Sequence, residues 1–538
     1  MASTISLVTA GAVGFISLYL LRWLVAKPSL PLPPGPPALP LIGNAHQLPK
    51  TLAWKQFAAW GKQYGPIYHL SVPVGLHIMV LTTDKAAHEL LAKRGASFSD
   101  RPKMFMLIMD PLLLLVAQEL ALKHMNVLLM DYDERFKSRQ RLEATVLSQS
   151  AASKYIEFQS LESRQLMYDL LMNAGGKGTD VHGFIERTTA STIFALFYGF
   201  RIKDAEAPEL VDALLLDQEF SQFVQLGAYL VDVFPVLNIL PGPLAPWKAK
   251  AEAHHQRQRK LHIGNLNRGL KEPGWTFAKQ LHKTVQEENL PISFDELAFE
   301  LGTLLDAALD GTVETLNWFL LAIITQNNGF VKRAQSDLDR VVGRSRLPTF
   351  GDIPNLPYIS ALLEEALRWR PVGAGGVPHA TKVESVYQGY RIPAGSIVVP
   401  NHWGITRDEA TFGPDTDSFI PERWMDGDRL KELPVAGFGY GRRTCPGRFF
   451  ARNMLLISFS RLLWAFNISA GQTDDGTPDH PDPEAFIDGL VTRPSPFKTK
   501  FEPRDQNARD IITGQGDTFG EDLSVLLSKI GEQLVKRR

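Results

Sequence analysis

A single cysteine, Cys445, stands in 538 residues. An intrachain disulfide is therefore impossible, and so is any multi-cysteine zinc or iron–sulfur site. Charge of one sign is lacking as well: 57 Lys+Arg against 58 Asp+Glu leave a net charge of -1. Without a global field to grip phosphates, no nucleic-acid partner is expected. Common enzyme signatures are missing too. His88-Glu-Leu-Leu-Ala92 lacks the second His of a zinc protease, Gly437-Phe-Gly-Tyr-Gly441 lacks the third glycine of a dinucleotide finger, and no G-x-S-x-G elbow occurs. With 44% hydrophobic and 21% charged residues the chain has ordinary globular usage, which excludes wholesale disorder and a polytopic membrane protein. At roughly 150 residues per domain the length sets a ceiling of three to four domains. No internal repeat is visible.

The segment ISLVTAGAVGFISLYLL, residues 5–21, contains no charge. With Trp23, Leu24 and Val25 it reaches about twenty residues, enough to cross a bilayer. Arg22 and Lys27 follow it and no basic region precedes it, so a retained signal anchor with a cytosolic body is expected. The alternative is a leader cleaved in an oxidising compartment, which a lone cysteine disfavours. Residues 1–26 are read as the anchor and the proline-crowded 27–50 as a stiff hinge. The body spans 51–504 and a tail 505–538. Alternation around Pro73-Val-Gly75 predicts a β-hairpin over Ile67 to Leu81, whereas most later segments carry helical periodicity. The expected fold is thus mainly α with small β-sheets, preceded by one transmembrane helix. Ser293-Phe-Asp-Glu296 fits a capping box, and Asn327-Asn-Gly329 a helix stop. The helix between them is about 34 residues and about 50 Å long, enough to cross a domain. In the polar tail, Leu523, Leu526, Leu527, Ile530 and Leu534 predict one short amphipathic helix.

Cys445 lies in Phe438-Gly-Tyr-Gly441-Arg-Arg443-Thr-Cys445-Pro-Gly447, just before an apolar helical run from Arg448 to Phe466. Helix N-terminal N–H groups stabilise a thiolate, and glycines let the backbone approach something flat and large. This suits a metal ligand. The alternative, a buried structural cysteine, is the usual fate of a lone Cys.

At every fixed position this segment resembles F-x-x-G-x-R-x-C-x-G, the haem-binding loop of the cytochrome P450 family. The resemblance implies that Cys445 is the axial thiolate ligand of the iron in haem b, that Arg443 pairs with a propionate and that Phe438 packs near the thiolate, with Gly441 and Gly447 at the loop's fixed glycines. Two more family elements follow. Glu365 and Arg368 stand at i,i+3 on a helix from Tyr358 to Trp369, as in E-x-x-R, and Phe419-Ile-Pro-Glu-Arg423-Trp424 resembles the segment whose arginine completes a buried Glu–Arg–Arg lock. The resemblance runs from the hinge to about Pro503, and the tail has no counterpart in it. It implies a monooxygenase of the endoplasmic reticulum membrane. An apolar small molecule is its expected substrate, with electrons from NADPH arriving through a separate NADPH-cytochrome P450 reductase. The hinge and Gly489-Leu-Val-Thr-Arg-Pro-Ser-Pro-Phe-Lys498 resemble microsomal fungal members of secondary metabolism.

The oxygen-activation motif of the family, A/G-G-x-D/E-T-T, reads here Ala307-Ala-Leu-Asp310-Gly311-Thr312. Asp310 takes the acidic position, but Gly311 replaces the threonine expected next, and Thr312 lies one residue on, about 100° round the helix. A local kink and an altered proton relay are both open. Asp306, Asp310 and Glu314 form an i,i+4,i+8 acidic row that needs partners. Either a nearby base supplies them, or Asp306 binds a polar group of the substrate. By resemblance Thr303 and Val377 also face substrate. Arg139 or Arg141 and His379 stand where the family binds a propionate, although W-R-x-x-R is replaced by Phe136-Lys-Ser-Arg-Gln140. The stretch 104–116, MFMLIMDPLLLLV, is either pocket lining or plain core. Two rival functions are kept: oxidative coupling, desaturation or rearrangement on the same fold, and an anchored, haem-free binding protein with Cys445 buried.

Overall fold

The computed structural model describes residues 30–538, except 41, 73–75, 103–119, 224–234, 327–328, 426, 428–432, 434–435, 474 and 536–538. The anchor run, the hairpin tip, the stretch 104–116 and the Asn327-Asn328 stop lie outside the described residues.

The expected hairpin forms as β1 (Ile67–Val72) and β2 (Leu76–Leu81), antiparallel with Ile67 opposite Leu81. It belongs to a four-stranded sheet completed by two distant strands, β3 (His379–Ala380) and β4 (Ile397–Pro400). β2 pairs in parallel with β4, and β4 antiparallel with β3. The bulk is helical: α1 (Glu134–Leu147), α2 (Ile156–Asn173), α3 (His182–Tyr198), α4 (Pro208–Phe223), α5 (Pro246–Lys271), α6 (Phe294–Thr325), α7 (Pro357–Trp369) and α8 (Arg448–Ala465) carry the site.

The long helix α6 starts as its sequence dictates. The Ser293 hydroxyl accepts from the Glu296 N–H at 3.2 Å, and the Glu296 carboxylate accepts from the Ser293 N–H at 2.9 Å, so two otherwise orphaned donors are satisfied. Among the described residues α6 alone is long and apolar enough to cross a membrane, and most of it is buried within the protein. It crosses α8 where the Phe319 and Phe459 rings stack with centroids 3.7 Å apart. It approaches α5 so closely that a Cβ on Gly302 would stand 2.3 Å from the His262 ring. Glycine is thus required there for packing.

The tail differs from expectation. Besides the amphipathic helix, α10 (Leu523–Val535), it forms α9 (Gln506–Gln515), whose N-cap Asp505 accepts from the Ala508 N–H at 2.7 Å. α9 buries Ala508 and Ile512 in one core cluster, and α10 buries Leu527 and Ile530 in the other. Between them the Arg201 guanidinium donates to the Thr518 carbonyl at 2.6 Å and lies 4.2 Å from the Phe519 ring centroid. The tail is integral to the body.

Candidate haem-thiolate site

The loop 438–447 is shaped by two glycines in left-handed backbone, Gly439 (φ +75°) and Gly441 (φ +58°). At Gly441 sterics add to conformation, because a Cβ would stand 2.2 Å from the Leu91 carbonyl oxygen. The loop closes with the Cys445 N–H donating to the Phe438 carbonyl at 2.8 Å. Burial pushes the Cys445 thiol up from its ordinary value, while the N–H groups of Gly447 and Arg448 and the Arg448 charge pull it back. Thr444 and Pro446, on either side of Cys445, line an inner cavity.

One end of that cavity is cationic. Arg443 donates to the carbonyls of Ser99 (2.8 Å) and Met130 (2.5 Å) and lies over the Phe136 ring. Arg101 donates to the carbonyls of Leu128 (2.9 Å) and Pro378 (2.6 Å). Burial pushes Arg443 down to about 10, with Asp100, Asp131 and Asp133 pulling it back, and burial together with the Arg443 charge lowers Arg101. Burial, Arg101 and Arg443 hold His379 well below its ordinary value, and its Nδ1 lies 2.8 Å from the Phe98 carbonyl. Neither Arg101 nor Arg443 forms an ion pair with a carboxylate among the described residues. A buried and a half-buried guanidinium, neither in an ion pair among the described residues, together with a thiol at the start of a helix, fit a planar group bearing iron and carboxylates.

The opposite wall is a stripe of α6: Thr303, Asp306, Ala307 and Asp310, related by i,i+3 and i,i+4 steps along one face, all line the inner cavity. Asp310 also lines an outer cavity of about 780 Å3, together with Glu186, Asp217, Glu314, Asp488 and Arg493. The acidic row has basic neighbours at two members: His182 and Arg493 act on both Glu314 and Asp310, and none acts on Asp306. Glu314 accepts from Asn317 at 3.2 Å and lies 3.9 Å from His182 Nδ1, and burial pushes it up to about 7. Asp310 is hydrogen-bonded to Asp217 of α4. Asp306 Oδ1 has no hydrogen-bond partner, and burial with the neighbouring Asp217 and Asp310 holds this carboxyl far above its usual range.

Other expected residues fall elsewhere. α6 is one uninterrupted α-helix through Gly311, whose carbonyl also accepts from the Thr315 hydroxyl at 2.7 Å. Thr312 is buried and lines neither cavity. Arg139 is turned to Glu296 (3.0 Å) and Glu300 (3.5 Å) and is 1% exposed, while Gln140, one position on, lines the cavity. Val377 contributes a carbonyl to Arg101 at 3.3 Å and no cavity wall. Arg101, Gln140 and Asp217 carry no local motif that would have marked them.

Behind the loop, the Glu365 carboxylate, 0% exposed, receives a bidentate pair of bonds from Arg368 (2.8 and 2.7 Å), one from the Ile420 N–H (2.8 Å) and one from the Trp424 indole (2.8 Å). Arg423 Nε lies 3.7 Å from it. Arg368 spends its remaining donors on the carbonyls of Thr406, Thr416 and Ser418. Glu365, Arg368 and Arg423 thus lie together behind the loop.

Comparison with known proteins agrees with this geometry. The cytochrome P450 family model matches residues 33–501. The chain is 36% identical over 514 residues to cytochrome P450 monooxygenase drtD of Aspergillus calidoustus, covering 95% of this chain and 93% of that one. It is 36% identical over 523 residues to cytochrome P450 monooxygenase peniB of Penicillium patulum (96% and 93%), and 34% identical over 501 residues to cytochrome P450 monooxygenase astF of Aspergillus oryzae (93% and 91%). The chain belongs to the cytochrome P450 family. It is a P450 monooxygenase, and the family implies haem iron held by a cysteine thiolate.

Proposed function

We propose that this enzyme is an anchored monooxygenase of the endoplasmic reticulum membrane, with its body in the cytosol. It takes electrons from NADPH through NADPH-cytochrome P450 reductase and inserts one oxygen atom of O2 into an apolar small molecule of fungal secondary metabolism. The observation that carries this reading is the inner cavity, walled by the Cys445 loop on one side and by the stripe Thr303, Asp306, Ala307 and Asp310 on the other. Cys445 would hold the haem iron, and Arg101, Arg443 and His379 its carboxylates. When bound, the haem supplies the oxygen chemistry. The chain's own share is to orient and to deliver protons. Asp310 passes a proton inward from the outer cavity, and Asp306 and Thr303 offer a polar contact to an otherwise apolar substrate. Gly311 favours a second reading on the same fold. With no hydroxyl there, oxidative coupling, desaturation or rearrangement replaces hydroxyl transfer.

Product analysis after co-expression with a reductase and candidate metabolites decides between the two, since only the first adds an oxygen atom from labelled O2. The reduced protein under carbon monoxide is expected to show the red-shifted Soret band of thiolate ligation, and its absence would favour a haem-free binding protein. Removing residues 1–27 is expected to release the body from membranes with haem retained; persistent association would sink the anchor reading. Asn467, in the chain's N-x-S/T site, is exposed on a strand. It is expected to stay unglycosylated in a cytosolic body.

A further inference from the structure

The carboxyl group that the monooxygenase reading uses for proton delivery, Asp310, has another carboxyl group as its hydrogen-bond partner. Asp217 reaches it from α4, and the two residues are the charged pair shared by the walls of the inner and outer cavities. An arginine at this position would hold Asp310 ionised and unable to donate. Two carboxyls in hydrogen-bond contact cannot both ionise, so at least one proton stays between them at neutral pH.

Resting on that reading, we infer that Asp217 is the positioning residue for proton delivery: it shares one proton with Asp310 and stores that proton at the junction of the two cavities, beside the carboxyl that passes it on. The remaining charges around the pair agree with this role. Asp306 and Glu314 on α6 and Glu186 on α3 are acidic and disfavour a second negative charge, while His182 on α3 and Arg493 beyond Asp488 stand far enough off to moderate the repulsion without an ion pair to Asp310 among the described residues. One proton leaves Asp310 for the oxygen being reduced. One returns through the outer cavity, whose wall carries Glu314 and Glu186; behind that wall, Asn317-bound His182 has its Nε2 3.5 Å from Glu186. No oxidant or reductant is needed beyond those of the proposed monooxygenase reaction.

Burial and the neighbouring Asp310 push Asp217 up to about 8, which sets the pH range to examine. Infrared titration of the full-length holoenzyme is expected to show a protonated carboxyl band that disappears as the pH rises through about 8. The same band should vanish from Asp217→Asn and from Asp310→Asn, because one shared proton gives one signal. With an accepted substrate, Asp217→Asn is expected to lower product formed per NADPH oxidised by about tenfold, less than the roughly 10²-fold or more that a general acid itself contributes because Asp217 acts through Asp310, and to raise peroxide release. The double variant should lose no more than either single one. Asp217→Glu, which keeps the carboxyl, should retain band and coupling; it serves as the test pair should Asp217→Asn lose its carbon monoxide spectrum. An unaltered band and unaltered coupling in Asp217→Asn would overturn the inference, as would equal coupling losses in the Asn and Glu variants. The infrared titration needs no substrate, so its outcome stands apart from any failure of the monooxygenase reading.

Discussion

Trp424 donates its indole N–H to Oε2 of Glu365 at 2.8 Å, so the aromatic residue beside the lock arginine is itself part of the lock. The carboxylate has four hydrogen-bond donors and is wholly buried, which makes each donor worth more than on a surface. Arg368→Ala leaves that charge uncompensated and is expected to cost about 3–5 kcal/mol, with little haem-loaded protein recovered. Trp424→Phe keeps the ring and removes one charge-assisted bond, for about 1.5–3 kcal/mol. Thermal unfolding and the carbon monoxide spectrum measure both, and normal haem loading in Arg368→Ala would remove the lock from the account.

The loop makes its own prediction. Cys445→Ser is expected to abolish the thiolate spectrum, because an alcohol at neutral pH is a poor anionic ligand. Gly441→Ala is expected to do nearly as much by another route. It combines a left-handed backbone, a strain of about 1–3 kcal/mol, with a Cβ 2.2 Å from the Leu91 carbonyl. A haem-loaded, normally stable Gly441→Ala would show that the contact relaxes.

These elements were legible because their chemistry is local. The capping box, the hairpin, Glu365 with Arg368, and the Cys445 loop each depend on residues a few positions apart, where sequence spacing and geometry are the same thing. What escaped is long-range. Arg101 meets Arg443 across more than three hundred residues, Asp217 meets Asp310 through the packing of α4 on α6, and Arg139 finds Glu300 on a helix that sequence does not place beside it. In the tail, α9 was hidden because its burial depends on only two apolar side chains, too few for a periodic signal.

The tail's contribution can be measured directly. Ile512 in α9 and Ile530 in α10 are almost fully buried, so truncating either to alanine is expected to cost about 2–5 kcal/mol. Deleting residues 505–538 should leave the body prone to aggregation, since both core clusters lose part of their cover. A deletion that unfolds at the wild-type temperature would show the tail to be dispensable.

Glu314 gives a pH dependence whose sign is fixed by burial. Its carboxyl is raised from 4.5 to about 7 in the folded protein. Between these values the native state keeps a proton that the unfolded chain gives up, so this group subtracts stability as the pH rises through that window, about 1.4 kcal/mol per unit. Glu314→Gln removes the titration while keeping an acceptor for Asn317. Relative to wild type it is expected to gain about 3 kcal/mol between pH 4.5 and pH 8, read as a widening difference in unfolding temperature. A constant difference across that range would place the Glu314 proton elsewhere.

The last prediction turns on Gly311. The helix continues through it, and a Cβ built there meets nothing within 4 Å outside its own helix, so a larger side chain has room. Thr312 is buried away from both cavities, so a substitute role for its hydroxyl would require the helix to unwind locally. Thr312→Val, which keeps shape and deletes the hydroxyl, is therefore expected to leave coupling of NADPH oxidation to product nearly unchanged. Gly311→Thr restores a hydroxyl one residue after Asp310 and is expected to raise coupling or add a hydroxylated product. Asp310→Asn should slow turnover in either background, because it removes the carboxyl that both cavities share. A steep fall in coupling in Thr312→Val would mean that the helix opens during turnover and that Thr312, not the Asp310 stripe alone, serves the reacting oxygen.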